Sequence, residues 1–173
     1  MAHEAETMVS ARVLPWHKLG VVTPDVMTAA EAYKLSGLDW TVELEPVWVG
    51  AEDAEALIVA EDKFGSVRYK NGKPESVLGI VGAQYQPIQN LEMFDFAEAL
   101  LDDGRAKYES AGSLRMGRTV FALIKLEKEV VIDGDEHVPY LLLANSHDGS
   151  SAFRALTTPV RVVCMNTLRL AIS

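Results

Sequence analysis

Thr119-Val120-Phe121-Ala122-Leu123-Ile124-Lys125-Leu126 is the stretch on which the fold turns. Successive side chains of a strand point to opposite faces, so a run that is apolar at every position from 120 to 124 needs cover on both sides. It reads as an interior strand of a sheet with a layer on each face. Just upstream, Arg115-Met116-Gly117-Arg118 reads as a turn and 108–114 as the partner strand, which makes a hairpin.

The next segment outward, 91–101, reads as the longest helix. Asn90 is placed to cap it, Glu92 and Asp95 suit the positive end of its dipole, and Phe94, Ala97 and Leu101 form one apolar stripe. Thr28 and Glu31 make a capping box for a shorter helix over 29–36 that stops at Gly37. Leu38, Trp40, Val42 and Leu44 alternate with polar residues, as in a half-buried strand, and Pro46 makes it an edge or bends it. Short strands are expected at 57–60 and 66–69. Asn71-Gly72 then turns the chain back into 77–81, because both residues tolerate positive φ. Strands at 130–132 and 140–144 flank Asp133-Gly134-Asp135, another follows at 153–156, and Asn166 starts a closing helix. Residues 1–12 read as a polar, mobile lead, and 15–20 as a turn anchored by Trp16. The fold class is α+β: a single domain over 1–173, with a mainly antiparallel sheet of hairpins covered by one long helix, plus a C-terminal helix. Leu168, Leu170 and Ile172 have no later element to cover them. The expectation is therefore that residues 166–173 pack in a subunit interface, as in a homo-oligomer, or against further sequence.

Composition narrows the class of protein. The chain has 173 residues, 49% hydrophobic and 24% charged, enough to bury a core without metal or disulfide staples. A single cysteine, Cys164, forms no internal disulfide. Acids occupy the N-terminus where a leader needs bases, and no apolar run is long enough to span a membrane, so a bacterial host cytosol is the expected location. The net charge of −9 is unevenly spread. Residues 1–104 carry 7 basic and 18 acidic side chains, whereas 105–173 carry 9 and 7. Beyond Asp148 there are arginines at 154, 161 and 169 and no acid, an asymmetry that points to an anionic partner.

Among motifs, no Gly-rich phosphate loop, CxxC, HExxH or GxSxG occurs, so no cofactor is expected. Arg115, Arg118, Arg154 and Arg161 are the nucleic-acid-binding candidates, since guanidinium forks match phosphate oxygens in pairs. Trp16, Trp40, Trp48 and Tyr85 are candidates for base stacking against a more usual role as core. Asn145-Ser146-His147-Asp148-Gly149-Ser150-Ser151 packs donors, acceptors and an ionisable pair into one loop, against the alternative of a plain turn. A Cys164–His147 thiol–imidazole pair is weighed against an inert core thiol, which is favoured. His137, His147 and Asp148 lack metal-ligand spacing, so no metal is expected.

The chain resembles a known family in the segments 15–20, 37–40, 79–90, 108–114 and 140–168. The most specific of these is Thr158-Pro159-Val160-Arg161-Val162-Val163-Cys164-Met165-Asn166-Thr167. The family is the phage- and plasmid-related one catalogued as a domain of unknown function, DUF932. The resemblance brings no reaction and no catalytic residues. It implies a mobile-element setting of phage replication, recombination or defence, and a chain that is the front part of a longer protein. The order of helix, hairpin, further strands and closing helix is loosely similar to phage single-strand annealing proteins of the RecT and Red-beta type, a fold-level analogy only.

The leading expectation is a non-enzymatic protein that binds single-stranded nucleic acid and anneals it in recombination or replication. One alternative is an enzyme with a pocket made by Asn145, His147, Asp148, Arg161 and Asn166. Another is an acidic inhibitor that mimics DNA towards a host defence enzyme.

Overall fold

The computed structural model describes residues 5–13, 19–50, 56–101, 106–126, 130–132 and 135–172. The first strands are β1 (Ala5–Ala11), β2 (Val21–Thr23), β3 (Thr41–Val49), β4 (Ile58–Lys70), β5 (Lys73–Gly82) and β6 (Lys107–Leu114). There follow β7 (Thr119–Lys125), β8 (Val130–Ile132), β9 (Asp135–His137), β10 (Tyr140–Ser146) and β11 (Arg154–Thr158). Three short helices are interleaved: α1 (Ala29–Leu35), α2 (Asn90–Leu100) and α3 (Met165–Ala171).

The main sheet has six strands in the order β11-β10-β7-β6-β1-β2, antiparallel except for the β1–β2 pair. β7 is interior, as its sequence requires. Val120, Ala122 and Ile124 enter one core, and Phe121 and Leu123 enter the other. The first core is closed by α1, α2, residues Leu38 and Trp40, and the smaller sheet β3-β4-β5 through Val42 and Leu78. The second is closed by Val162 and by Leu168 and Ala171 of α3.

The expected single long helix over the sheet is therefore corrected to a shared cover. α2 has 11 residues and buries Met93, Phe94 and Ala97. Phe94 stacks on Tyr108 of β6 at 5.2 Å between ring centres, and α1 and β3–β5 supply the rest. The apolar stripe of α2 was legible, but the hydrophobic partner sheet was not, because its inward residues are sparse.

Several local features match their physical causes. Thr28 and Glu31 form the capping box of α1, and Gly37 beyond it takes φ +69. Asn71 and Gly72 both have positive φ and join Lys70 to Lys73 in a two-residue hairpin. β3 is an edge strand with a register shift between Pro46 and Trp48, the bend expected of Pro46.

Other expectations are revised. Ala5–Ala11, read as part of a mobile lead, is β1 and lies between β6 and β2. The two strands expected at 57–60 and 66–69 are one strand, β4. β8 pairs with β9 rather than standing opposite 140–144, and β10 pairs with β7 and β11. The turn at Asp133-Gly134 and the turn around Trp16 lie outside the described residues. The N-cap of α2 is Gln89, whose N–H donates to Glu92, while the Gln89 amide bonds both backbone groups of Val42. α3 is capped at Cys164, not Asn166. Thr167 accepts from the Val163 and Cys164 N–H groups. Leu168 and Ala171 are buried in the chain's own core, while Leu170 is exposed. Among the described residues no helix is long and apolar enough to cross a membrane.

Candidate functional site

The loop after β10 rests on β5. A Cβ placed on Gly79 would lie 2.8 Å from the Asp148 Cα, and one on Gly149, at φ +75, would lie 3.0 Å from Val81. Gly79 thus lets the loop seat directly on the strand. Gly79→Ala should cost about 1–3 kcal/mol, the usual range for overpacking, because the obstructing atoms are backbone. Urea unfolding of the variant checks this, and an unchanged midpoint would refute the close seat.

His147 opens this loop and is wholly buried. Its Nε2 lies 2.8 Å from Asn90 Oδ1. The Asn90 Nδ2 donates to the carbonyls of Leu38 and Trp40, which fixes Oδ1 as an acceptor and Nε2 as the protonated nitrogen. Nδ1 is buried without a partner, and the ring sits edge-on to Trp40 at 5.2 Å. Burial lowers the pKa of His147 to about 4, against a smaller raising effect of Asp148. The imidazole is therefore neutral near pH 7 and is enclosed rather than presented to a ligand. Asp148 turns the other way: it accepts from the Ser150 N–H and pairs with Arg115 at 3.2 Å.

The sequence candidates separate into distinct groups. Arg161 binds Glu109 at 2.8 Å, Ser10 at 3.3 Å and the Ala11 carbonyl, which it reaches across the β1–β6 edge. Arg12 holds the second oxygen of Glu109 at 2.8 Å, so a nearly buried carboxylate is clasped by two guanidiniums. Asn166 is exposed on α3. Asn145 donates to the Ile88 carbonyl at 3.1 Å. Cys164 contacts Thr167 at 3.6 Å, and His147 is engaged with Asn90. Among the described residues no cluster of three metal-ligating side chains occurs.

Arg115 and Arg154 do come together, and with a third arginine from the acid-free tail that was not among the four binding candidates. They line one recess of about 180 Å³ with Arg169, over a floor that includes Thr119, Ala144 and Ser146. Arg154 stands opposite Ala144 across the β10–β11 ladder, on the face that α3 covers, and α3 brings Arg169 in its last turn. Ser150 and Ser151 add hydroxyls at the rim, and among the described residues no carboxylate lines the recess. Arg118 is exposed at the far end of the hairpin turn that starts at Arg115, and its carbonyl accepts from the His147 N–H. Three positive φ angles in succession, at Arg115, Met116 and Gly117, shape that turn.

A second recess, of about 360 Å³, shares Asn145, Ser146 and Ser151 with the first. Tyr85, Phe153, Gln84 and Gln86 line it. Neither recess is lined by His147, Asp148, Arg161 or Asn166. Of the stacking candidates, Trp16 lies outside the described residues, Trp40 is core and lies under Arg68 at 4.6 Å, Trp48 is exposed and lines neither recess, and Tyr85 lines one. The signal that could have found Arg169 was its place in the acid-free tail.

Residues 77–173, more than half the chain, match the family model described as Domain of unknown function (DUF932). Every described residue that lines the two recesses lies within that span. No curated protein and no solved structure matches the chain.

Proposed function

The chain belongs to the DUF932 family, and from its own residues we propose that it is a non-enzymatic DNA-metabolism protein that binds single-stranded nucleic acid, for annealing in recombination or replication. The observation that carries this reading is the convergence of Arg115, Arg154 and Arg169 on one recess that no carboxylate lines among the described residues. Guanidiniums are the side chains best matched to phosphate oxygens. Arg115 is held in place by Asp148, and among the described residues neither Arg154 nor Arg169 forms an ion pair. Arg118, exposed beyond the same turn, extends the cationic surface outward. Beside the guanidiniums the lining holds serine, threonine and asparagine side chains and an apolar part from Met165, Leu168 and Ile172, a mixture that favours backbone contact over base-specific readout.

Arg161 is excluded from this face because its charge is spent on buried Glu109. That assignment makes the test sharp. Labelled oligo-dT and oligo-rU are titrated at two salt concentrations against the parent protein and single alanine variants. Arg115→Ala, Arg118→Ala, Arg154→Ala and Arg169→Ala should each weaken binding of every sequence alike and flatten the salt dependence by about one phosphate contact. Arg161→Ala should leave the salt slope unchanged. Absence of binding at low salt refutes the proposal.

A further inference from the structure

Resting on the reading of the arginine recess as a phosphate site, we propose that the adjoining recess at Tyr85 and Phe153 receives a nucleobase of the same strand. The two recesses share the wall formed by Asn145, Ser146 and Ser151, so a ligand in one lies next to a ligand in the other. Their chemistries are complementary in the way that the parts of a nucleotide are. The first is lined by three guanidiniums, and among the described residues no charged side chain lines the second. A flat, uncharged group with polar edges fits the second, and an anion does not.

The aromatic rings are held before any ligand arrives. The Tyr85 hydroxyl donates to the Ser146 carbonyl at 3.1 Å, which fixes the ring against the shared wall. Phe153 packs edge-on to Phe96 at 5.5 Å. Rings already immobilised lose little conformational freedom when a base stacks on them. Around them Gln84 and Gln86 offer amides that both donate and accept, and both are exposed and able to turn. Such a lining meets the edge of any base and gives little sequence preference, as expected of a stacking platform.

The test compares oligo-dT with an abasic strand of equal phosphate count by fluorescence anisotropy. The proteins are the parent, Tyr85→Leu and Tyr85→Phe. With the parent, oligo-dT should bind about tenfold tighter than the abasic strand, the scale of one stacked base. Tyr85→Leu should bring oligo-dT down to the abasic level while abasic binding and its salt slope stay unchanged. Tyr85→Phe loses the hydroxyl but keeps the ring, so it should retain most of the difference and shows that the leucine effect is not a folding defect. Equal binding of the two strands by the parent overturns the base site and leaves the arginine reading intact. No binding of either strand at low salt overturns both.

Discussion

Phe121→Ala should lower the free energy of unfolding by about 3–5 kcal/mol, the range for deleting a buried phenyl ring. Phe121 has no exposed surface and lies in the core between the six-stranded sheet and α3. Its flanking residues in the ladder are Gly112 on β6 and Ala144 on β10, with Met8 one strand further out. Small lateral neighbours cannot swing into the space the ring leaves, so the cavity persists and the cost belongs at the upper end of the range. The loss should appear as a lower urea midpoint at unchanged slope, the sign of a change in stability rather than in the extent of unfolding. Trp48→Ala is the matching control. Trp48 is 56% exposed on the smaller sheet, and surface substitutions of that kind shift stability by less than about 0.5 kcal/mol. A loss below 1 kcal/mol for Phe121→Ala would mean that α3 does not close the second core.

The two-sided cover that makes Phe121 costly to remove was legible in residues 120–124, because no polar side chain interrupts them and a strand has only two faces. The hairpin turns and the first helix were legible for an equally local reason: the Asn71-Gly72 φ angles and the Thr28–Glu31 cap are each fixed within four residues. What failed were features settled by distant partners. Ala5–Ala11 looks polar because of Glu6 and Thr7, whose side chains are bonded by the buried Arg68 and Ser113, while Met8 and Val9 enter the two cores. Asn90 has the composition of a cap, yet its side chain holds the Leu38 and Trp40 carbonyls and His147, so the cap falls to Gln89 one residue earlier.

The same division holds at the site. A cluster of arginines in the second half was visible in the charge distribution, but their grouping was not. Arg161 finds its carboxylate at Glu109, 52 positions away in the chain, on a strand that the sequence placed without revealing which way Glu109 points. Arg169 joins Arg115 and Arg154 only because α3 packs back on the face of β7 and β10. The loop 145–151 attracted interest as an ionisable pair. In the folded chain its role is to divide the two recesses, with His147 turned into the core and Asp148 turned to Arg115.

The burial of His147 gives the fold an acid sensitivity that can be measured directly. Its pKa is lowered to about 4 in the folded chain by burial, whereas an unfolded histidine titrates near 6.5. The folded state thus disfavours the proton, and the stability tied to neutral His147 is complete above about pH 6.5 and is lost as pH falls towards 4. A difference of about 2.5 pH units is worth about 3 kcal/mol in full, and about 2 kcal/mol of it should be gone between pH 7 and pH 5. Chemically, a second proton would have to sit on Nδ1, which is buried without an acceptor while Nε2–H already serves Asn90. His147→Gln keeps a donor for Asn90 but cannot titrate. It should therefore be less stable than the parent at pH 7, yet lose distinctly less on going to pH 5. Urea unfolding of both proteins at the two pH values isolates the effect, since every other titrating group is common to them. Equal losses in parent and variant would show that His147 is reached by water, and would return the loop to consideration as a place where an imidazole meets a ligand.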